Sequence, residues 1–306
     1  MAKNCYNKYI MFRGNYTTIQ SHFYMINDDH RTNNYIQAIQ QKVKPNFTVI
    51  DLGAGTGILG LQCAVAGAST VHLVEQEETL VKVLEKTIEN LNLSTKCKIH
   101  HKKSNVFLGN YYDKCNLIVC EGIGDHIFES RMIFDFLYYK DKLNIEHSIP
   151  EHFKLCMHEQ TVRIDRDKLG VHQHLLDELE IPLLDSIDIV DNIITDPLYI
   201  YGDTIIKNNC ILEFNCIADL EKPINLTLER LPTKDEYLIL YFNIKLAEDV
   251  YLSNSPSRKD ENHSYYQRLV SCKNIKSKNI RIEIDYKKDT KGLEDKPFPN
   301  IEILNE

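Results

Sequence analysis

A glycine-rich turn constrains the fold of this chain more than any other feature of its sequence. Residues 51–57 read D-L-G-A-G-T-G, directly after a short apolar run, and apolar residues then recur at helical spacing from Ile58 to Ala66. The pattern predicts a buried strand, a tight turn and a helix, because glycines allow a ligand to approach the backbone at a helix N-terminus. A dinucleotide-binding fingerprint requires a glycine at position 58, so Ile58 excludes that motif.

Strand-like and helix-like segments alternate beyond this turn. Residues 71–74 form a second apolar run, and residues 80–91 carry apolar side chains on one helical face. A third, weaker strand is expected at residues 98–101 and a fourth at residues 116–120. This alternation predicts a parallel sheet with helices on both faces.

The pattern changes after Pro150. Short β-rich runs follow at residues 210–214, 237–244 and 280–284, and their alternation indicates an antiparallel sheet or small barrel. Nine of the 12 glycines precede residue 125, whereas seven of the nine prolines follow Pro150. We therefore predict two domains, residues 1–150 and 151–306.

The two predicted domains also differ in net charge. The net charge is -8, but residues 1–150 carry 16 basic and 15 acidic side chains, whereas residues 151–306 carry 20 and 29. This balance makes nucleic acid an unlikely partner, since proteins that coat it are usually basic.

No apolar run approaches the roughly 18 residues of a membrane helix, and no signal peptide is evident, so we expect no membrane association and a cytoplasmic location. The nine cysteines include no C-x-x-C pair, and we expect reduced thiols and no metal site.

The turn resembles motif I of class I S-adenosylmethionine (SAM)-dependent methyltransferases, in which an acidic residue precedes G-x-G-x-G. The resemblance implies SAM as the cofactor, held by Asp51, Gly53, Gly55 and Gly57. Glu75 ends the second strand, where a carboxylate can accept hydrogen bonds from both ribose hydroxyls. The alternative for Glu75 is an ordinary surface acid.

The region after the third strand lacks an obvious counterpart of the acid that such enzymes commonly place near the adenine. Ser104 and Asn105 occupy this region. We expect these two residues to replace the acid through neutral hydrogen bonds.

A segment before the turn narrows the resemblance to the protein arginine methyltransferase family. Residues 22–35 read H-F-Y-M-I-N-D-D-H-R-T-N-N-Y and are similar to that family's H-x-x-M-L-x-D-x-x-R-T-x-x-Y element. The resemblance implies that the element folds over SAM, that Arg31 pairs with the cofactor's carboxylate, and that His22 and Met25 line the pocket. An arginine fork suits a carboxylate geometrically. The alternative is an amphipathic helix with an exposed arginine.

A second segment, residues 120–130, follows the fourth strand and reads C-E-G-I-G-D-H-I-F-E-S. It resembles the family's double-glutamate loop, which implies that Glu121 and Glu129 hold a guanidinium by charge-assisted hydrogen bonds. Glu129 comes eight residues after Glu121 rather than the family's nine, and Ser130 stands at the expected position. Asp125 is a possible substitute for Glu129.

A third segment, H-S-Y-Y-Q at residues 263–267, resembles the T-H-W-x-Q loop of the family's β-barrel. Aligning Gln267 places Ser264 at the family's histidine and Tyr265 at its tryptophan. His263 would have to replace the histidine, and an ordinary surface position is the alternative for it.

The resemblance implies a Rossmann-like SAM-dependent methyltransferase domain followed by a mostly antiparallel, β-barrel-like domain. The expected function is transfer of a methyl group from SAM to the guanidinium of an arginine in a protein or peptide, without a metal. The family also implies a possible homodimer, with residues 171–184 as a candidate arm. Two alternatives remain open: an acceptor that is a small guanidine or amine metabolite, and a catalytically silent protein that binds SAM or a partner.

Overall fold

The structure is a computed structural model, and it describes residues 19–107, 114–123, 127–128, 132–164, 199–201, 209–233, 236–255, 268–285 and 300–305. The helices in these ranges are α1 (Ile19–Ile26), α2 (Asp29–Lys42), α3 (Ile58–Val65), α4 (Glu78–Asn90) and α5 (Met132–Lys142). The first strands are β1 (Thr48–Leu52), β2 (Thr70–Glu75), β3 (Cys97–His101), β4 (Leu117–Cys120) and β5 (His147–Ile149). They are followed by β6 (His152–Ile164), β7 (Tyr199–Tyr201), β8 (Asn209–Phe214), β9 (Ile224–Thr227), β10 (Glu236–Ala247), β11 (Val250–Ser253), β12 (Arg268–Ser271), β13 (Asn279–Asp285) and β14 (Asn300–Asn305).

The first five strands form one parallel sheet in the order β3-β2-β1-β4-β5. The central strands β1 and β4 are buried almost throughout, as their uninterrupted apolar runs require of a sheet covered on both faces. The predicted alternation of strands and helices is therefore confirmed. Since the strands are parallel, the carboxyl ends of β1, β2 and β4 lie at one edge of the sheet, where ligands bind in open α/β folds.

The later strands are antiparallel. Strand β10 pairs with β6 along most of its length and also with β11 and β12, while β6 pairs with β7 and β8. Strands β9, β13 and β14 form a separate three-stranded sheet. The predicted change to antiparallel architecture is confirmed. Closure of these strands into a barrel and a domain boundary at residue 150 stay predictions.

Aromatic rings join helix α5 to the antiparallel strands through an edge-to-face contact of Phe136 with Phe153 and a stacked contact of Phe153 with Phe214. The ring of Phe153 on β6 lies 5.0 Å from that of Phe214 on β8 and 6.1 Å from that of Phe136 on α5. All three side chains are buried. This packing holds α5 in place, and its first turn reaches the edge of the sheet where β1 and β4 end.

Potential metal ligands and thiols are dispersed in the part of the chain that the structure describes. Its eight cysteines carry free thiols, six of them buried, and its histidines, cysteines and acids form no group of three that could hold a metal ion. None of the helices in the described ranges has the length and apolar character required to cross a membrane.

Candidate active site

The glycine turn links β1 to α3 at the carboxyl edge of the parallel sheet. Gly53, Gly55 and Gly57 have φ angles of 74°, 57° and 84°, in the left-handed region that glycine enters without steric cost. The carbonyl of Val74 accepts hydrogen bonds from the backbone N–H groups of Gly53 and Ala54, which ties the turn to β2. The missing side chain of Gly55 also leaves room for His22, because a Cβ there would lie 2.6 Å from its ring. Helices α1 and α2 together form a segment that we call the lid, and its helix α1 therefore packs directly against the turn.

Glu75 is buried at the end of β2 and holds the turn from its other side. Its Oε2 accepts a hydrogen bond from the Gly55 N–H at 2.7 Å, and its Oε1 accepts from the N–H groups of Gln76 and Glu77 at 2.8 Å each. A carboxylate has about four acceptor sites. One ribose hydroxyl could therefore bind without loss of a backbone contact, whereas a second would have to displace one.

Asp51 lies within β1 and is 1% exposed. Its Oδ2 accepts a hydrogen bond from the Gly60 N–H at 2.8 Å, which fixes the first turn of α3 against the sheet. The pKa of Asp51 is raised to about 7: burial is the main cause, the Gly60 hydrogen bond opposes it, and the negative charges of Glu75 and Glu121 add to the rise. The carboxyl edge of the sheet is thus rich in negative charge.

Arg31 provides the positive charge at this edge. Asp28 caps helix α2 by accepting a hydrogen bond from the Arg31 N–H at 3.0 Å, and the guanidinium donates from Nη1 to the carbonyl of Met25 at 2.7 Å. Its Nη2 donates to Oε2 of Glu121 in an ion pair. The side chains of Arg31 and Glu121 are only 8% and 10% exposed. The lid and the loop after β4 are therefore joined by a largely buried charge pair.

The buried side chain of Tyr35 also connects the helix of Arg31 to the strand that precedes Glu121. The hydroxyl of Tyr35, one helical turn after Arg31, donates to the carbonyl of Cys120 at 3.1 Å. Burial raises the pKa of Tyr35, and the nearby charge of Glu121 raises it further, so the neutral donor is favoured. The hydrogen bond anchors α2 to the last residue of β4, directly before Glu121.

Met132, at the start of α5, covers the turn from the opposite side. A Cβ at Gly53 would lie 2.4 Å from the Met132 sulfur, and a Cβ at Gly122 would lie 2.5 Å from the same atom. Gly122 directly follows Glu121, and the space next to its Cα is occupied by Met132. Sequence reasoning missed this residue, because a lone methionine in an apolar segment carries no signal for a site.

Ser104 and Asn105 lie in a short 3₁₀ turn that follows β3. The Ser104 hydroxyl donates to Oδ2 of Asp135 on α5 at 2.6 Å, and the Tyr139 hydroxyl donates to the Ser104 carbonyl. The Ser104 hydroxyl, which we expected to contact the adenine, therefore already donates to the buried carboxylate of Asp135. Sequence reasoning missed Asp135, because an acid within an apolar helix resembles a surface position until its partner is known.

The structure brings most of the predicted cofactor residues to one edge of the sheet: His22, Arg31, Asp51, Gly53, Gly55, Gly57 and Glu75. Met25 takes part through its backbone carbonyl, which accepts a hydrogen bond from the Arg31 guanidinium. Glu121 joins this group through the same guanidinium. Other predicted residues lie outside the described residues: Glu129, Asp125, Ser130, the segment 263–267 and the candidate arm 171–184.

Comparisons of the sequence with known proteins point to methyltransferases. Residues 28–132 match the family model described as Ribosomal protein L11 methyltransferase (PrmA). The chain is 35% identical over 130 residues to Protein arginine N-methyltransferase 6 of Xenopus laevis, which covers 42% of this chain and 37% of that protein. It is 36% identical over 129 residues to Probable protein arginine N-methyltransferase 6.1 of Oryza sativa subsp. indica, covering 42% and 33%. The matches span about a third of the length of these curated relatives.

The fold extends the likeness to nearly the whole chain. A structure of Arabidopsis thaliana Protein Arginine Methyltransferase 10 superposes with a TM-score of 0.67 at 16% identity, covering 89% of this chain and 90% of that one. The Trypanosoma brucei PRMT1 enzyme-prozyme heterotetrameric complex with AdoHcy gives a TM-score of 0.65 at 18% identity, covering 88% and 89%. The resemblance predicted from the motifs is therefore confirmed: the chain has the fold of the protein arginine methyltransferases and is similar to them in sequence over about two fifths of its length.

Proposed function

We propose that this chain is a SAM-dependent N-methyltransferase that acts on the guanidinium of an arginine in a protein or peptide. The observation that carries the proposal is the buried contact of Arg31 with Glu121, next to the glycine turn. It places an anion receptor and a cation receptor side by side. SAM carries a carboxylate and a reactive methyl group, and arginine carries a cation, so the pair matches both ligands. Relatives named protein arginine N-methyltransferases support this assignment.

The residues at the sheet edge fit SAM. The left-handed glycines expose the backbone at the start of α3, and Glu75 has acceptor capacity left for a ribose hydroxyl. Arg31 donates from Nη1 to Met25 and from Nη2 to Glu121, and its planar guanidinium has the fork geometry that suits the cofactor's carboxylate. When bound, SAM supplies an electrophilic methyl group on a sulfonium centre.

Glu121 binds and orients the substrate in this proposal. A carboxylate next to a guanidinium accepts paired N–H hydrogen bonds and fixes the plane of the cation, which leaves the opposite nitrogen directed at the methyl group. Methylation of that nitrogen releases a proton, and Glu121 offers a carboxylate oxygen at the same group. Arg31 holds the Glu121 carboxylate in position through the ion pair. We assign Glu129 as the second carboxylate of this grip.

The second half of the chain serves as the substrate domain in the same proposal. Residues 151–306 carry 29 acidic against 20 basic side chains, a balance that favours the approach of an arginine-rich, cationic segment. Its strand β6 packs on α5 through the contact of Phe153 with Phe136, which supports a position beside the site. We further propose a homodimer.

A catalytically silent role is the second candidate. Two observations favour it: the glutamate spacing in residues 121–129 is one residue shorter than the family's, and one structural neighbour is titled an enzyme-prozyme complex. In that case the chain binds SAM or a partner without turnover.

Replacement of Glu121 by glutamine tests the proposed activity. We expect Glu121→Gln to lower methyl transfer at least about 100-fold, because a neutral amide cannot hold and polarise the guanidinium. The measurement is incorporation of labelled methyl from SAM into arginine-containing peptides, with S-adenosylhomocysteine binding measured on the same protein by calorimetry.

Glu78→Gln is the matched control, since it removes the same charge from a side chain on α4 that is 70% exposed. It should retain full activity. Equal activity of the wild type and Glu121→Gln would contradict the role of Glu121. A wild type that binds S-adenosylhomocysteine but transfers no label would favour the silent role.

The substitution Gly55→Ala tests whether the glycine turn binds the cofactor. Its Cβ would lie 2.6 Å from the His22 ring, so the lid helix has to move, and we expect affinity for S-adenosylhomocysteine to fall at least tenfold. Gly67→Ala is the control, since Gly67 also has a positive φ, of 117°, but its Cβ would meet nothing within 4 Å. Both variants should lose about 1–2 kcal/mol of unfolding free energy through backbone strain. Equal affinity of the two variants for S-adenosylhomocysteine would contradict the proposed role of the glycine turn in binding the cofactor.

The charge of the pocket predicts a pH dependence of stability. Because the pKa of Asp51 rises to about 7 in the folded protein, the native state binds a proton that the unfolded state releases above about pH 4. Asp51 therefore stabilises the ligand-free fold fully below about pH 4, and this contribution is lost as pH rises through 7, by up to about 1.4 kcal/mol per pH unit. Urea unfolding of the wild type and Asp51→Asn between pH 5 and 8 measures the difference. Parallel profiles of the two proteins would contradict the assignment.

A further inference from the structure

Two of the otherwise dispersed thiols lie directly opposite each other on neighbouring strands. Cys156 on β6 is the register partner of Cys210 on β8. Residues directly opposite in an antiparallel pair have Cα atoms about 4.5–5.5 Å apart, and a disulfide bridges Cα atoms about 4.4–6.8 Å apart. The strand pairing therefore holds these two cysteines within the range of a disulfide. The proposed methyl transfer uses neither of them.

A β-bulge brings the two cysteines into this position. The register of β6 and β8 shifts directly before Cys156, so this residue pairs with Cys210. In an uninterrupted ladder it would pair with Ile211, the residue that the shift leaves out. A bulge changes the direction of the side chains next to it. Here it exchanges an apolar neighbour of Cys156 for a thiol.

The thiol groups of the two cysteines interact in the folded chain. The pKa of the Cys156 thiol is raised to about 11: burial is the main cause, and the charge of Cys210 and a hydrogen bond between the two thiols add to the rise. Hydrogen bonds from Tyr241 and Asn243 oppose it, and the Asn243 amide donates to the Cys156 sulfur at 3.6 Å. The Cys210 thiol also donates to the carbonyl of Leu212 at 3.6 Å, which holds its sulfur at the bulge. The two sulfur atoms are thus neighbours before any reaction.

The two thiols differ in their access to solvent. Cys156 is only 3% exposed, whereas Cys210 is exposed. Oxidation of thiols follows their exposure, and an exposed thiol that reacts first is often accompanied by a second thiol that resolves the product. Cys210 is therefore the thiol that meets an oxidant, and Cys156 is the thiol that lies ready to resolve it.

We propose that Cys156 and Cys210 form a site of reversible oxidation, at which a peroxide converts the two thiols into a cross-strand disulfide. The Cys210 sulfur attacks an oxygen of hydrogen peroxide and the O–O bond breaks, which leaves a sulfenic acid; the released hydroxide takes up the thiol proton and becomes water. The Cys156 sulfur then attacks the sulfenic sulfur, the S–O bond breaks, and the departing hydroxide takes up the second thiol proton. Two electrons pass from the two sulfurs to the peroxide, and a dithiol reductant returns them by thiol–disulfide exchange. The oxidation does not depend on SAM.

Peptide mapping of the full chain after treatment with hydrogen peroxide tests this site. The remaining thiols are alkylated, and the digest is analysed by mass spectrometry. We expect a pair of peptides joined through Cys156 and Cys210, lighter by two hydrogen atoms than the separate peptides. It should be at least about tenfold more abundant than any other cysteine pair, because the strand register holds the two sulfurs together. Dithiothreitol should remove the link.

Two serine variants separate the roles of the two thiols. Cys156→Ser removes the resolving thiol, so trapping of the Cys210 sulfenic acid by dimedone should increase at least about tenfold over the wild type. In Cys210→Ser, Cys156 should stay a free thiol. Cys216→Ser is the matched control, because it removes a partly exposed thiol a few residues further along the chain and should keep the disulfide.

Persistence of free thiols at both Cys156 and Cys210 in the oxidised wild type would overturn the proposal, and this measurement requires no substitution. Oxidation of Cys210 to a sulfinic acid without a link to Cys156, or a link from Cys210 to a different cysteine, would also overturn it. Equal dimedone labelling of Cys210 in the wild type and in Cys156→Ser would contradict the resolving role of Cys156.

Discussion

The ion pair between Arg31 and Glu121 is the interaction on which the arrangement of the site depends. It joins two segments 90 residues apart in sequence, the lid helix α2 and the loop after β4. Withdrawal of both charges from water carries a desolvation cost that the mutual attraction only partly offsets, so stability alone is a weak reason for such a pair. Its geometry is enforced from both sides, by the Asp28 cap on the Arg31 backbone and by the hydrogen bond from Tyr35 to the end of β4. The proposed function gives the pair a reason, since it would hold two charged ligands next to each other.

The charges around this pair have a common sign and a common location. Asp51, Glu75, Glu121 and Asp135 all lie at the carboxyl edge of the parallel sheet. Burial is the main cause of the raised pKa values of Asp51 and Cys120, and the charges of neighbouring acids raise both values further. A sheet edge of this kind is poorly suited to a dinucleotide pyrophosphate, which is anionic. It is well suited to a sulfonium cofactor and a guanidinium substrate, because both bring positive charge into a region of low dielectric.

Much of the fold could be predicted from the sequence, because its signals are local. The apolar run before the glycines, the Ile58 that excludes a dinucleotide motif and the alternating runs after Pro150 each report on neighbouring residues. The contacts of the site are not local. Nothing in the sequence near Arg31 identifies Glu121 as its partner, and nothing near Ser104 identifies Asp135; the family resemblance assigned roles to Arg31 and Glu121 but did not state that they meet. Met132 was missed for the same reason, since its contact with Gly53 exists only once α5 has packed on the sheet.

The most direct test of this account is a crystal structure of the protein with S-adenosylhomocysteine and an arginine-containing peptide. The account predicts that the cofactor's carboxylate lies within hydrogen-bond distance of Arg31 and that the substrate guanidinium is held by Glu121 and Glu129 in one pocket. A cofactor carboxylate bound away from Arg31, or carboxylates of Glu121 and Glu129 that point apart, would contradict it.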